Sequence, residues 1–250
     1  MNIAAETQFY RLTEFEELGH DPLTMERQLS ALEGEVATIT GQWLDWLPNV
    51  AQGEALPIPP ENRELIALYT AVQFLRTADA RDILAAFAQA DAGANLSEGD
   101  RRQLHLEMMW DEELVRSLAA RFLDSVWIFA VNTSGIPYLT SDNPIAFRNA
   151  GNRQWVKVGI AAPGVYVVFP LSPTIIMYAY PKDPPFDVLA KFADCRSPVT
   201  VEAEMVESEN SGQVFMASRF VIADRDAFAV ARAFAPSIGT DLYANPADDD

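Results

Sequence analysis

Val126-Trp127-Ile128-Phe129-Ala130-Val131, then Asn132-Thr133-Ser134-Gly135, then Ile136-Pro137-Tyr138-Leu139-Thr140, is the stretch at which the chain changes period. Before Ser125, apolar residues recur every three or four positions, as on helices with one buried side. From Val126 they fall into short β-branched and aromatic runs, as in strands. The two runs flanking Asn132–Gly135 predict a hairpin. Downstream, Val165–Phe169 and Thr174–Tyr180 predict two further strands, the first introduced by a Pro163-Gly164 turn, and Phe220–Ala223 a short one. Between them Val199–Arg219 reads as a helix weakened by Gly212, and Ala227–Phe234 as a last helix.

Toward the N-terminus, Asp21-Pro22 is a helix start. Met25, Leu29, Leu32, Val36, Ile39, Trp43 and Trp46 then form a seam until Pro48. That seam fits an antiparallel helix pair within the domain better than a coiled coil between chains, although a homodimer would use the same side. Glu61 opens a second helix, with Leu65, Leu68, Tyr69, Val72 and Leu75 on its apolar side, and Ser97-Glu98-Gly99-Asp100 has capping-box spacing ahead of a third. The expected architecture is α+β, with long N-terminal helices packed on a small mixed, mostly antiparallel sheet in the C-terminal half. It is read as one domain over 1–245, helical to about 125 and sheet-containing over about 126–235, with an acidic tail at 246–250.

Acidic residues outnumber basic ones 36 to 18, a formal net charge of -18. Such a field opposes direct nucleic-acid binding, and no run of Lys and Arg counters it. The uncharged stretch between Lys157 and Lys182 is broken by Pro163-Gly164, Pro170 and Pro173, so it reads as buried strands and not as a membrane span. With Cys195 as the one cysteine and no signal peptide at the N-terminus, a cytoplasmic location is expected.

The polar corners of the sheet hold the candidate site. Thr140-Ser141-Asp142-Asn143-Pro144 closes one apolar run and Pro170-Leu171-Ser172-Pro173 another. Asp142 and Asn143 suit an Asx-turn; they can equally present a carboxylate and a carboxamide, beside Ser141, to a ligand, a metal or a water. Gln73 and Arg76 share a helix face next to the apolar stripe, so Arg76 can reach inward. A partly buried guanidinium needs a carboxylate, and Asp142 is the expected partner, as a clamp between helices and sheet or as an anion site.

Gln73-Phe74-Leu75-Arg76-Thr77, Tyr138 to Ile145, Phe169-Pro170-Leu171-Ser172-Pro173, and Glu209-Asn210 running on to Ala217-Ser218-Arg219 together resemble the large bacterial family catalogued as domain of unknown function 4238. Ala4-Ala5-Glu6 with Phe9-Tyr10 resembles its early region. The resemblance implies no activity, but it implies that Gln73, Arg76, Asp142, Asn143, Ser172 and Asn210 belong to one constellation. Members of that family begin with a His-x-x-Pro segment ahead of the Ala-Ala-Glu region. This chain starts after it, and His20 cannot be carried over as that histidine.

Two functions are weighed. The first is hydrolysis, with Asp142, Arg76 and Asn210 catalytic and Gln73, Ser141, Asn143 and Ser172 binding a small molecule; its phosphodiester version requires a divalent metal ion. The second is a non-catalytic binding or interaction protein whose motifs are structural, with Trp43 and Trp46 as the place for a protein partner. His105, His20 and Cys195 read as structural. Of the acidic run Glu202, Glu204, Glu207 and Glu209, only Glu207 is kept as a candidate ligand, because it lies three before Asn210.

Overall fold

A computed structural model describes residues 24–92, 96–157 and 162–238. The chain divides into two compact units, Met1–Trp43 and Leu44–Asp250. Helix α1 (Thr24–Trp46) ends two residues before Pro48, which lies in a 3-10 turn at Leu47–Asn49, close to where its seam predicts; its expected start at Asp21-Pro22 lies outside the described residues. Val36 and Trp43 are buried on it and Trp46 is half-buried, so the seam does not end in an exposed aromatic patch.

In the second unit, α2 (Pro60–Leu75) begins at a proline whose missing N–H would have no partner in the first turn anyway. Beyond it the helical pattern breaks twice where a side chain offers a cap. Thr77 Oγ1 accepts from Ala80 N at 3.1 Å and starts α3 (Ala78–Ala92). Asp111 Oδ1 accepts from Glu113 N and Leu114 N, dividing the expected third helix into α4 (Glu98–Trp110) and α5 (Glu112–Asp124). The capping box at Ser97 and Asp100 forms with both of its bonds.

The strands are β1 (Val126–Val131), β2 (Thr140–Ser141), β3 (Ala146–Asn149), β4 (Trp155–Val156), β5 (Val165–Ser172), β6 (Ile175–Tyr180), β7 (Cys195–Arg196) and β8 (Val221–Ile222). Six form a mixed sheet ordered β4-β3-β5-β6-β1-β7, antiparallel except for β1 with β7, and β2 pairs with β8 apart from it. The last two helices are α6 (Ala203–Met216) and α7 (Ala229–Phe234). The architecture is therefore α+β as expected, with the sheet in the C-terminal half.

The expected hairpin does not form. β1 lies between β6 and β7, while the backbone of Ile136–Leu139 is engaged by other groups. Asn132 Nδ2 donates to Ile136 O at 2.6 Å, Tyr138 N donates to Pro173 O at 2.8 Å, Leu139 N donates to Asn210 Oδ1 at 2.7 Å, and Pro137 has no N–H to give. Only Thr140–Ser141 at the end of this run becomes a strand.

Alternation sorts the sheet into two faces. Phe147, Val167, Phe169, Met177, Ala179, Trp127 and Phe129 point one way and are buried. Helix α2 covers this side: Phe74 meets Phe147 edge-on at 5.3 Å, Tyr69 lies 6.4 Å from Phe169, and the Arg63 guanidinium sits 4.3 Å over the Trp127 ring. Arg148, Tyr166, Val168, Tyr178, Tyr180 and Ile128 point the other way, toward α6 and the segment leading into it. This second face carries far more polar groups than a packed core needs, and the cleft described below lies on it.

Candidate functional site

The polar corner at 140–144 is fastened from below by the chain leaving α6. Asp142 Oδ1 accepts from Ser218 N at 3.0 Å and Oδ2 from Arg219 N at 2.8 Å, while its own N–H donates to Phe220 O. The expected Arg76–Asp142 ion pair does not form. The carboxylate satisfies two backbone donors at the turn out of α6, and Arg76 is half-buried at the end of α2. Ser141 Oγ donates to Asn143 O and accepts from Asn143 N, an internal brace of the turn.

Asn143 is fully buried, and its Nδ2 donates to Asp79 Oδ2 at 2.9 Å. Lys157 Nζ lies 3.4 Å from the same oxygen, with both side chains under 10% exposed, and Ser218 Oγ reaches Asp79 Oδ1 at 3.4 Å. Burial pushes the Asp79 carboxyl up, and Lys157 and Asn143 hold it down. Gln213 Nε2 donates to Pro144 O from α6. Asp79, Lys157 and Gln213 were not singled out by the sequence reading, although Asp79 sits just past the Thr77 cap, where a carboxylate favours the helix start.

The remaining expected residues do not join this cluster as reactive groups. Asn210 is 1% exposed and spends its amide on backbone, Oδ1 from Leu139 N and Nδ2 to Pro137 O at 2.9 Å. Ser172 Oγ accepts from Thr174 N and Ile175 N at the end of β5. Gln73 is buried on α2, with Nε2 unpartnered among the described residues. His105, read as structural, is buried and bonds Leu75 O through Nε2 at 2.6 Å. Among the described residues no group of three or more His, Cys, Asp or Glu side chains is placed to hold a metal ion.

The open site lies on the second face of the sheet. A cleft of about 540 Å³ runs between that face, α6 and the segment 197–202, within the range of small-molecule sites. Its floor is aromatic. Tyr166 and Tyr180 stack with ring centroids 4.7 Å apart, Tyr178 lies 6.0 Å from Tyr180, and Phe186 closes against both Tyr166 and Tyr180.

Its wall carries a buried ion pair. Arg148 Nη1 donates to Glu209 Oε1 at 3.1 Å, Nη2 to Ser208 Oγ at 2.9 Å and Nε to Arg153 O at 2.9 Å, and the guanidinium lies 4.7 Å from the Trp155 ring. Glu209 is 4% exposed. Its Oε2, Tyr178 Oη and Tyr138 Oη are all buried without a hydrogen-bond partner among the described residues. Burial pushes the Glu209 carboxyl up to about 7 against the pull of Arg148 and of the Tyr178 hydroxyl that faces it, just outside hydrogen-bonding geometry. Burial likewise raises the Tyr166 phenol to about 12, and that of Tyr178 well above its ordinary value.

Sequence reading missed this carboxylate and kept Glu207, which is exposed. The signal was the stripe Val206, Glu209, Asn210, Gln213 and Val214, whose spacing of three, four, seven and eight sets Glu209 on the inward side of α6.

The fold and site define an α+β protein whose sheet is packed on one face and carries a tyrosine-floored cleft on the other. Residues 1–227 match the family described as Protein of unknown function (DUF4238), and the chain belongs to that family, as its Gln73–Thr77 and Thr140–Pro144 segments led us to expect. No curated protein and no solved structure matches the chain. No helix among the described residues is long and apolar enough to cross a membrane.

Proposed function

We propose that the protein is a hydrolytic enzyme acting by acid–base catalysis on a small molecule held in the cleft, with Glu209 as the proton carrier. The supporting observation is the setting of Glu209: buried in the cleft wall, one oxygen paired to Arg148, the other without a formed hydrogen bond among the described residues though it faces the Tyr178 hydroxyl, and its carboxyl pushed up by burial to about 7. A carboxyl poised there can give and take a proton at working pH. Arg148 acts as a positioning residue: it holds the carboxylate through one hydrogen bond to Oε1, and its own bonds to Ser208 Oγ and Arg153 O and its stacking on Trp155 hold the guanidinium. The acid–base role moves from Asp142 to Glu209 because both Asp142 oxygens already serve backbone donors.

The test is turnover of p-nitrophenyl esters, phosphates and glycosides by the full chain and by Glu209→Gln. The expectation is hydrolysis of one class with a pH limb near 7 that the substitution abolishes. Absence of turnover in all three classes, or full activity in Glu209→Gln, sinks the proposal.

A second reading is a non-catalytic binding protein. The consumption of the Asp142, Asn143 and Asn210 side chains in fastening turns favours it, since the motifs are then structural. Ligand retention in the cleft without turnover would select it.

A further inference from the structure

The cleft's charges nearly cancel within its own wall. Arg148 and Glu209 pair with each other, and the rim sets Arg153 against Glu202 and Glu204, all three exposed. The rim thus carries one carboxylate in excess, which opposes an anionic ligand, and the net charge of -18 opposes anions further. Besides the Glu209 carboxyl, the polar groups left for a ligand are hydroxyls. Ser208 Oγ accepts from Arg148, Thr200 Oγ1 from Gln52 Nε2 at 2.8 Å and Ser197 Oγ from Val199 N. A hydroxyl has one hydrogen to donate besides its acceptor sites, and none of these three donates to a protein group among the described residues. Three donors thus line a cleft whose floor is a half-buried pair of stacked rings, Tyr166 and Tyr180.

Half-buried tyrosine rings flanked by hydroxyl donors, beside a rim that opposes anions, match a ligand that has an apolar C–H face and a periphery of neutral oxygens. We infer that the cleft binds a neutral sugar ring, packed against the exposed part of the Tyr166–Tyr180 pair and hydrogen-bonded at its edge by Ser197, Thr200 and Ser208. The inference rests on the cleft reading above and names its substrate class, a glycoside.

Saturation-transfer NMR of the full chain with methyl pyranosides of the gluco, galacto and manno series tests it, with p-nitrophenyl phosphate and benzoate as anionic competitors. Expected are saturation of ring protons, no displacement by either anion, an affinity about three- to tenfold weaker in Tyr180→Ala, and an affinity close to wild type in Tyr180→Phe. Thr200→Val, at an exposed hydroxyl that leaves the ring stack intact, should weaken binding by about fivefold even if Tyr180→Ala does not fold. No saturation of any pyranoside, displacement by the anions, or binding unchanged in Thr200→Val overturns the inference. Pyranoside binding without turnover sustains it and removes the hydrolase reading. Ester or phosphate hydrolysis lost in Glu209→Gln, with no pyranoside binding, removes the inference and leaves the hydrolase standing.

Discussion

The backbone of Gly212 lies flat against the indole of Trp155, so close that a Cβ at position 212 would fall 2.4 Å from Cζ2. The indole cannot swing aside. Its Nε1 donates to Ser211 Oγ at 3.0 Å, and Arg148 is stacked on the ring. This explains a glycine in mid-helix, where it otherwise lowers stability by about 0.5–1 kcal/mol relative to alanine. Gly212→Ala should therefore destabilise, by about 1–3 kcal/mol in urea unfolding, as overpacking does. In a Trp155→Leu background, where the neighbour is smaller and flexible, the same change should become neutral or mildly stabilising.

Glu209 sets a pH dependence of stability. Its carboxyl titrates at about 7 in the folded chain against an ordinary 4.5, so between those values the folded state binds more protons than the unfolded one. The contribution is fully present below pH 4.5 and is lost as pH rises through 7, up to about 3 kcal/mol. Wild type should thus lose stability relative to Glu209→Gln between pH 5 and 8 in chemical denaturation series. Parallel curves for the two proteins would refute this.

Removing one partner of the buried pair should be worse than removing both. With side chains 13% and 5% exposed, Arg148→Met strands a buried carboxyl, and a loss of about 3 kcal/mol is expected at pH 8. The double variant Arg148→Met with Glu209→Gln should recover most of that loss, and a double-mutant cycle measures how much.

At Asp142, alanine would leave the N–H groups of Ser218 and Arg219 without their acceptor. Since the residue is exposed and water can substitute, the expected loss is about 1 kcal/mol. Combined with Arg76→Ala, the two effects should add, with coupling below about 0.5 kcal/mol. Strong coupling would restore the ion pair that the sequence suggested.

What was legible in the sequence was local. The capping box at Ser97, the strands expected over Val165–Phe169 and Thr174–Tyr180, the first of which runs on to Ser172, and the α+β class follow from neighbours a few residues apart. The hairpin failed because partner choice for Val126–Val131 is not local. Ile175–Tyr180 and Cys195–Arg196, each more than forty residues downstream, outcompete the adjacent run once Asn132, Pro173 and Asn210 engage its backbone. The helix breaks at Thr77 and Asp111 were readable, since both are side-chain acceptors inside a periodic run. Glu209 was not, because an acidic helix residue is normally solvated. Only the sheet face it covers makes it buried, and the tyrosines that surround it come from two strands, β5 and β6.

The tether between Asp142 and the Ser218–Arg219 backbone spans 76 and 77 positions along the chain. A ribosome therefore finishes and extrudes the 140–144 corner long before its anchoring donors exist. β2 must likewise wait for β8, and a chain stalled after Met216 would hold the corner only through Asn143 and Pro144, with the Asp142 carboxylate and β2 unanchored and open to proteases during synthesis.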